Sequence, residues 1–439
     1  MKTKRVQKKQ KKQKKQKKQK KQKETKKVHI IKTTTPKEIM NFTEAIPNGR
    51  SGGPKIMSYE PTINKELSGL VSLKPKAITN KNCYNELQDK ASISLTHGQS
   101  TPPIEYPTPM IGGPECLKIT DPKAQKILLD NINSKKLIPA SKITAPLQYL
   151  ANCWFNSGFM AMFISDKGRE FNRSFRQSMV EGKIIGQGGI RIEIVPKKLR
   201  NALGYFAIAI DACLRGDPIM HKLNTNHLLL SIYKSIPKAK LPKEITISKL
   251  DRPGNPIPYY KALYNYLYGN KSGAFPIEYI EIFNIPNIPV DKEFYNLENM
   301  INHYMEQQRL GLPDLFVIEI FNNEEKRINA LDPSKTIVKK PLKFKLREGE
   351  YILDSTIIRD TTNSHLCATL TYDGKEYGFD GESLHRMDPF KWKKYINKDK
   401  RWSFKGSTWK SDGLAGKKGD NVYWNYKDGY HALYYYRIK

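Results

Sequence analysis

The hydrophobic pattern of this chain changes period once, near residue 276, and that change limits the fold more than any other feature. Before it, apolar residues recur at helical spacing. Over residues 197–214, Leu199, Leu203, Phe206, Ile210 and Cys213 share one face, which makes Cys213 a core residue. Shorter helical patterns cover residues 122–133, 226–236 and 259–268. Residues 182–189 read as loop and 190–195 as a short strand. After residue 276, β-rich runs take over at 277–282, 315–321 and 351–357, with one helix over 296–308 between them. Helices first and strands later predicts an α+β fold in which a helical lobe packs on an antiparallel sheet.

One stretch of the helical half can carry chemistry. Residues 143–166 read as a loop running into a helix. Pro146, Asn152 and Asn156 mark the turn, and Phe155, Phe159, Met160 and Phe163 form one helical face. Cys153 falls at the helix start, where the positive end of the helix dipole and unpaired backbone N–H groups favour a thiolate. Gln148, five residues upstream, can aim a side-chain N–H at an oxygen held beside the sulfur, as an oxyanion hole requires. A core cysteine at the start of a buried helix fits this stretch equally well, since free cysteine is among the most buried residue types.

A nucleophilic cysteine needs a base, and the base needs an orienting group. Residues 364–381 offer both. His365 opens a β-rich run, Asp373-Gly374 is a strong hairpin signal, and Glu376 to Asp380 reads as the returning strand. The hairpin can bring His365 and Asp380 together. His431, on the final strand, is the rival base, but no acidic partner follows it.

The motifs around these residues resemble those of ubiquitin-specific proteases, the large papain-like class of deubiquitinases. Asn152-Cys153-Trp154-Phe155-Asn156-Ser157 is similar to the cysteine box of that family, with Gln148 at the place of its oxyanion-hole amide. Tyr377-Gly378-Phe379-Asp380 is similar to the aromatic-x-Phe-Asp run of its histidine box. Tyr430 to Arg437 looks like its last core strand. The resemblance spans residue 120 to the end but rests on these three stretches. Ser364-His365-Leu366 replaces the usual Gly-His-Tyr, no Cys-x-x-Cys pair exists, and the middle substrate-gripping boxes are not recognisable. The resemblance implies a divergent member, viral origin being compatible, with a papain-like fold whose helical lobe carries Cys153 and whose sheet carries His365 and Asp380. It implies Cys153 as nucleophile, His365 as general base and acid, Asp380 as the residue that orients His365, and Gln148 in the oxyanion hole. No cofactor and no metal is expected.

Composition sets the surroundings. The net charge is +33, of which residues 1–27 hold +15 and the other 412 residues +18. The whole chain is therefore basic. Residues 8–22 are five copies of Lys-Lys-Gln, with no apolar face to offset the entropy of ordering, so residues 1–27 are expected to be a disordered tail. Such an arm can bind nucleic acid or another anionic surface nonspecifically; a solubilising tail is the plain alternative. Residues 28–115, punctuated by Pro, Gly, Ser and Asn, read as flexible linker, and residues 116–439 as the folded catalytic domain. Residues 402–419, glycine and lysine among tryptophans, read as a mobile loop able to form a lip over a cleft. Five widely spaced cysteines suggest neither a disulfide scaffold nor a zinc ribbon. With no membrane span and no secretory signal, the expected place is intracellular, cytoplasm or nucleus, with virion association compatible.

The expectation is a thiol-dependent hydrolase that cleaves amide or isopeptide bonds after the C-terminus of ubiquitin or a ubiquitin-like modifier. Two alternatives stay open. One is a viral-type cysteine protease acting on a polyprotein. The other is a noncatalytic, basic nucleic-acid- or ubiquitin-binding protein on the same frame.

Overall fold

The structure is a computed structural model that describes residues 110–111, 117–148, 152–185, 191–193, 197–217, 220, 225–241, 245, 254–268, 280–284, 297–308, 312–320, 339–361, 365–383, 386–407, 422–426 and 430–438. The lysine repeats and the linker up to residue 109 lie outside the described residues, as do residues 408–421.

Strand β1 (Met110–Ile111) pairs antiparallel with β2 (Leu117–Lys118), so a short piece of the stretch read as linker takes part in pairing. Helix α1 (Pro122–Asn133) starts as its sequence dictates. The Asp121 side chain accepts from the Lys123 N–H at 2.8 Å, and Pro122 takes the first turn, where no N–H is needed.

Helix α2 (Cys153–Phe159) runs directly into a π-helical turn, Met160–Ile164. There the Ser165 N–H reaches back five residues to the Met160 carbonyl, at 3.2 Å. In a regular α-helix, side chains four apart drift by about 40° per step. The wider turn offsets that drift. Phe155, Phe159 and Phe163 therefore meet one partner, Phe206, with ring centroids 6.0, 5.9 and 5.0 Å away. The carbonyls that such a turn leaves free find side chains: Ser165 and Ser355 hydroxyls donate to Ala161 O, and Asn172 donates to Met162 O.

Helices α3 (Asp166–Phe171) and α4 (Arg173–Glu181) follow, then β3 (Lys183–Ile185), which pairs antiparallel with β4 (Arg191–Glu193). Residues 183–185, read from sequence as loop, are thus strand. The lobe is completed by α5 (Lys197–Arg215), α6 (Thr225–Lys234) and α7 (Pro256–Tyr268). Cys213 on α5 is fully buried. α7 crosses α2 at Gly158, where a Cβ would stand 2.8 Å from the Tyr260 ring and 2.9 Å from Pro256. A side chain there would push the two helices apart.

The second half forms one large sheet. Its strands are β5 (Ile280–Asn284), β6 (Leu315–Ile320), β7 (Lys343–Leu346), β8 (Gly349–Arg359), β9 (Leu366–Tyr372), β10 (Lys375–Phe379), β11 (Met387–Pro389) and β12 (His431–Arg437). The order is β11-β10-β9-β8-β12-β6-β5, with β7 on the first part of β8 and β9 on its last part. Every pair is antiparallel except β5 with β6. A parallel pair needs a crossover, and helix α8 (Leu297–Gln308) lies between those two strands in sequence. The architecture is α+β, with a mostly antiparallel sheet and one parallel edge pair where an antiparallel sheet alone was expected.

A bulge joins the two halves. Opposite Tyr434 and Tyr435 of β12, strand β8 pairs Ser355 and Leu353, which leaves Asp354 as the extra residue. Its carboxylate accepts from the backbone N–H groups of Lys167 (2.8 Å) and Gly168 (3.4 Å) at the start of α3. Burial pushes the Asp354 carboxyl up to about 6 against these hydrogen bonds. Of the stretch 402–419, read from sequence as a mobile loop, residues 402–407 are described; they form no helix or strand, but they are tied to a second segment. Trp402 and Trp424 exchange backbone hydrogen bonds of 3.0 and 2.8 Å, and both rings are buried.

Candidate active site

Cys153 is the first residue of α2 and lies 3% exposed at the meeting of lobe and sheet. Packing sets its position. Trp154 next to it packs at a tilt on Tyr259 of α7, centroids 4.5 Å apart, and Phe155 stacks on Tyr260. The asparagines on either side are fully buried, and a short polar relay links them, leaving Asn152 Oδ1 without a partner. Asn152 Nδ2 donates to Thr225 Oγ1 (2.6 Å), Thr225 Oγ1 donates to Asn156 Oδ1 (2.7 Å), and Asn156 Nδ2 donates to Leu147 O (3.1 Å). Thr225, the first residue of α6, thereby holds both flanks of the cysteine and the backbone that leads to Gln148.

His365 immediately precedes β9. A closed loop holds it: the Asp360 N–H donates to His365 O, and the His365 N–H donates to Asp360 Oδ1, both at 2.8 Å. The hairpin turn has Asp373 at φ 51° and Gly374 at φ 68°, the left-handed pair that a two-residue turn between twisted strands needs. Its register ends on Ala368 opposite Phe379, so His365 and Asp380 leave the paired strands on the same side. His365 Nε2 then meets Asp380 Oδ1 at 2.6 Å, with both side chains buried. Because Nε2 faces a carboxylate, it carries the proton, and Nδ1 is left to face other groups, the Cys153 side chain being near enough to favour the charged ring. The structure thus brings Cys153 to the hydrogen-bonded pair of His365 and Asp380.

The electrostatics favour a charged imidazole at His365. Burial alone pushes the His365 ring down. The negative charges of Asp380 and Glu382, with the hydrogen bond to Asp380 and the nearby Cys153 side chain, outweigh it and hold the ring well above the ordinary histidine value. Burial pushes Asp380 up, but the His365 charge and the hydrogen bonds from His365, Ser407 and the Glu382 N–H keep it below the ordinary carboxylate value.

Gln148 sits against the turn that follows Asp380. Its backbone N–H donates to Gly381 O (3.4 Å), and its Nε2 donates to Glu382 Oε1 (3.1 Å). One of its two amide hydrogens is therefore spoken for, and the other remains for a further acceptor. His431 lies inside β12, buried against the Tyr426 ring; the histidine on Asp380 is His365.

Sequence reading passed over four residues here: Thr225, Glu382, Ser407 and Trp424. Ser407 donates to Asp380 Oδ2, and the Trp424 ring stands 5.8 Å from the His365 ring. Thr225 is 72 positions from Cys153 and Ser407 is 27 from Asp380, so no local pattern links them. Glu382, two residues after Asp380, was legible as an acidic neighbour of the motif. Among the described residues, no group of three or more His, Cys, Asp or Glu is arranged to hold a metal ion, and no helix is long and apolar enough to cross a membrane. No family model matches this chain, and no curated protein matches it.

Proposed function

We propose that this chain is a papain-like thiol hydrolase of the ubiquitin-specific-protease type, cleaving amide or isopeptide bonds after the C-terminus of ubiquitin or a similar modifier. The observation that carries the reading is the buried His365–Asp380 hydrogen bond beside Cys153, on a β-hairpin and a helix start. The modifier comes from the resemblance of the cysteine and histidine boxes. The basic tail, residues 1–27, is read as an arm for nucleic acid or another anionic surface.

In this mechanism His365 holds the proton taken from Cys153, and Asp380 keeps the imidazolium in place. The sulfur adds to the scissile carbonyl carbon, and the carbonyl π pair moves onto oxygen. The backbone N–H of Cys153 and the second amide hydrogen of Gln148 receive that oxyanion. Collapse breaks the C–N bond as His365 delivers its proton to the departing amine. Water then attacks the thioester, His365 takes its proton, and collapse breaks the C–S bond to release the acid and the Cys153 thiolate.

The test is incubation of the full chain with ubiquitin bearing a C-terminal thiol-reactive group, beside Cys153→Ala and probes built on other modifiers. A covalent adduct with ubiquitin that needs Cys153 is the expected result. An adduct only with another modifier keeps the hydrolase and changes its target. Folded protein that labels with no probe, while remaining unreactive at Cys153, ends the proposal and favours the noncatalytic reading.

A further inference from the structure

We propose that Ser407 is a positioning residue for the base, fixing the plane of the Asp380 carboxylate so that Oδ1 stays on His365; this rests on the thiol-hydrolase reading above. A carboxylate has two equivalent oxygens and rotates about its Cβ–Cγ bond unless both are engaged. On Asp380 the work is divided. Oδ1 accepts from His365 Nε2 (2.6 Å) and from the Glu382 N–H (3.1 Å), and Oδ2 accepts from the Ser407 hydroxyl. Both residues are buried, so water is not at hand to replace that donor.

The hydroxyl is delivered by a stiff frame. The Ser407 N–H donates to Phe404 O (3.0 Å), and Ser407 O accepts from the Val422 N–H (3.2 Å). The reciprocal Trp402–Trp424 bonds hold the same two segments together. Ser383 Oγ donates to Lys405 O at 2.9 Å, which ties the frame back to the turn after Asp380. The frame also seats directly on the hairpin, where a Cβ on Gly378 would stand 2.3 Å from the Phe404 ring. That contact requires glycine one residue before Phe379-Asp380. Frame, turn and hairpin therefore converge on the acid from three sides, and Ser407 supplies the contact that keeps Oδ1 turned to the ring. Hydrogen bonds to an ionised acceptor are roughly twice as strong as neutral ones, enough to hold one orientation.

The experiment uses the full chain as wild type, Ser407→Ala and Ser407→Thr. Three quantities are read: the urea midpoint, the low-field NMR signal of the His365 Nε2–H across pH, and the rate of Cys153 alkylation by iodoacetamide, followed on the peptide that contains it. Ser407→Ala is expected to slow alkylation at neutral pH about tenfold and to broaden the Nε2–H signal, with little change in the urea midpoint. Ser407→Thr, which keeps the hydroxyl, is expected to restore both. Wild-type alkylation and an unaltered His365 signal in folded Ser407→Ala would overturn the assignment and leave a serine that merely satisfies its own hydroxyl. If wild-type Cys153 reacts no faster than an ordinary thiol, the hydrolase reading falls, and the His365 signal still decides the role of Ser407. Should Ser407→Ala fail to fold, Ser407→Cys, close in volume and a far weaker donor, makes the same comparison.

Discussion

The two sides of the site are held by different physics. Cys153 is placed by apolar contact: three phenylalanines of one helix on Phe206, Trp154 on Tyr259, and a neutral relay through Thr225. His365 and Asp380 are placed by charge and hydrogen bonds, with both side chains buried. Packing is non-directional and sets where a backbone sits to within a side-chain volume. Charge in a buried setting sets which atom faces which, and which of them holds the proton. The cysteine side should therefore fail by unfolding and the histidine side by losing reactivity while folded.

The largest effect should come from Asp380→Asn, which keeps the shape and removes the charge. Cys153 alkylation at neutral pH is expected to fall roughly 10³-fold, with the protein still folded by circular dichroism. A fall of only a few fold would mean that His365 needs no anion behind it. Next is Phe163→Ala, at the centre of the aromatic cluster. A loss of about 3–5 kcal/mol in urea unfolding is expected, while the alkylation rate of the folded fraction stays within a few fold. Loss of reactivity with no loss of stability would break the contrast between the two sides. The smallest effect tests the joint between lobe and sheet. The folded Asp354 carboxyl stands at about 6 against the ordinary 3.8, so folding favours its protonated form. That stabilisation is complete below about pH 4 and is lost as pH rises through about 6, on the order of 3 kcal/mol. Asp354→Asn should remove this slope from the stability–pH curve, and curves that stay parallel from pH 4 to 7 would show that Asp354 titrates normally.

Much of the site lay open in local sequence. Cys153 at the head of Phe155, Phe159 and Phe163, and His365 and Asp380 on two arms of an Asp373-Gly374 hairpin, are short-range patterns of helical period, strand alternation and turn chemistry. The helices over 122–133, 197–214 and 296–308 and the strands at 315–321 and 351–357 appear within a few residues of where periodicity put them. The tryptophan-rich stretch read only in part. Residues 402–407 carry no helix or strand, as a loop should, but sequence did not show that Trp402 and Trp424, 22 positions apart, exchange backbone hydrogen bonds beside the Ser407 that donates to Asp380. The parallel β5–β6 pair was equally hidden, because an apolar strand does not state which way its neighbour runs.

Sequence alone determined the class of the molecule, the helix that begins with Cys153, and the hairpin that unites His365 with Asp380, because each depends on residues a few positions apart. Tertiary structure decided the rest. It joined lobe to sheet through the Asp354 bulge, seated Gln148 on Glu382, and set Thr225 and Ser407 on the two flanks of the site. Those contacts close long loops of chain, and the free energy that closes them comes from burying the aromatic core as a whole, which no short window of sequence contains.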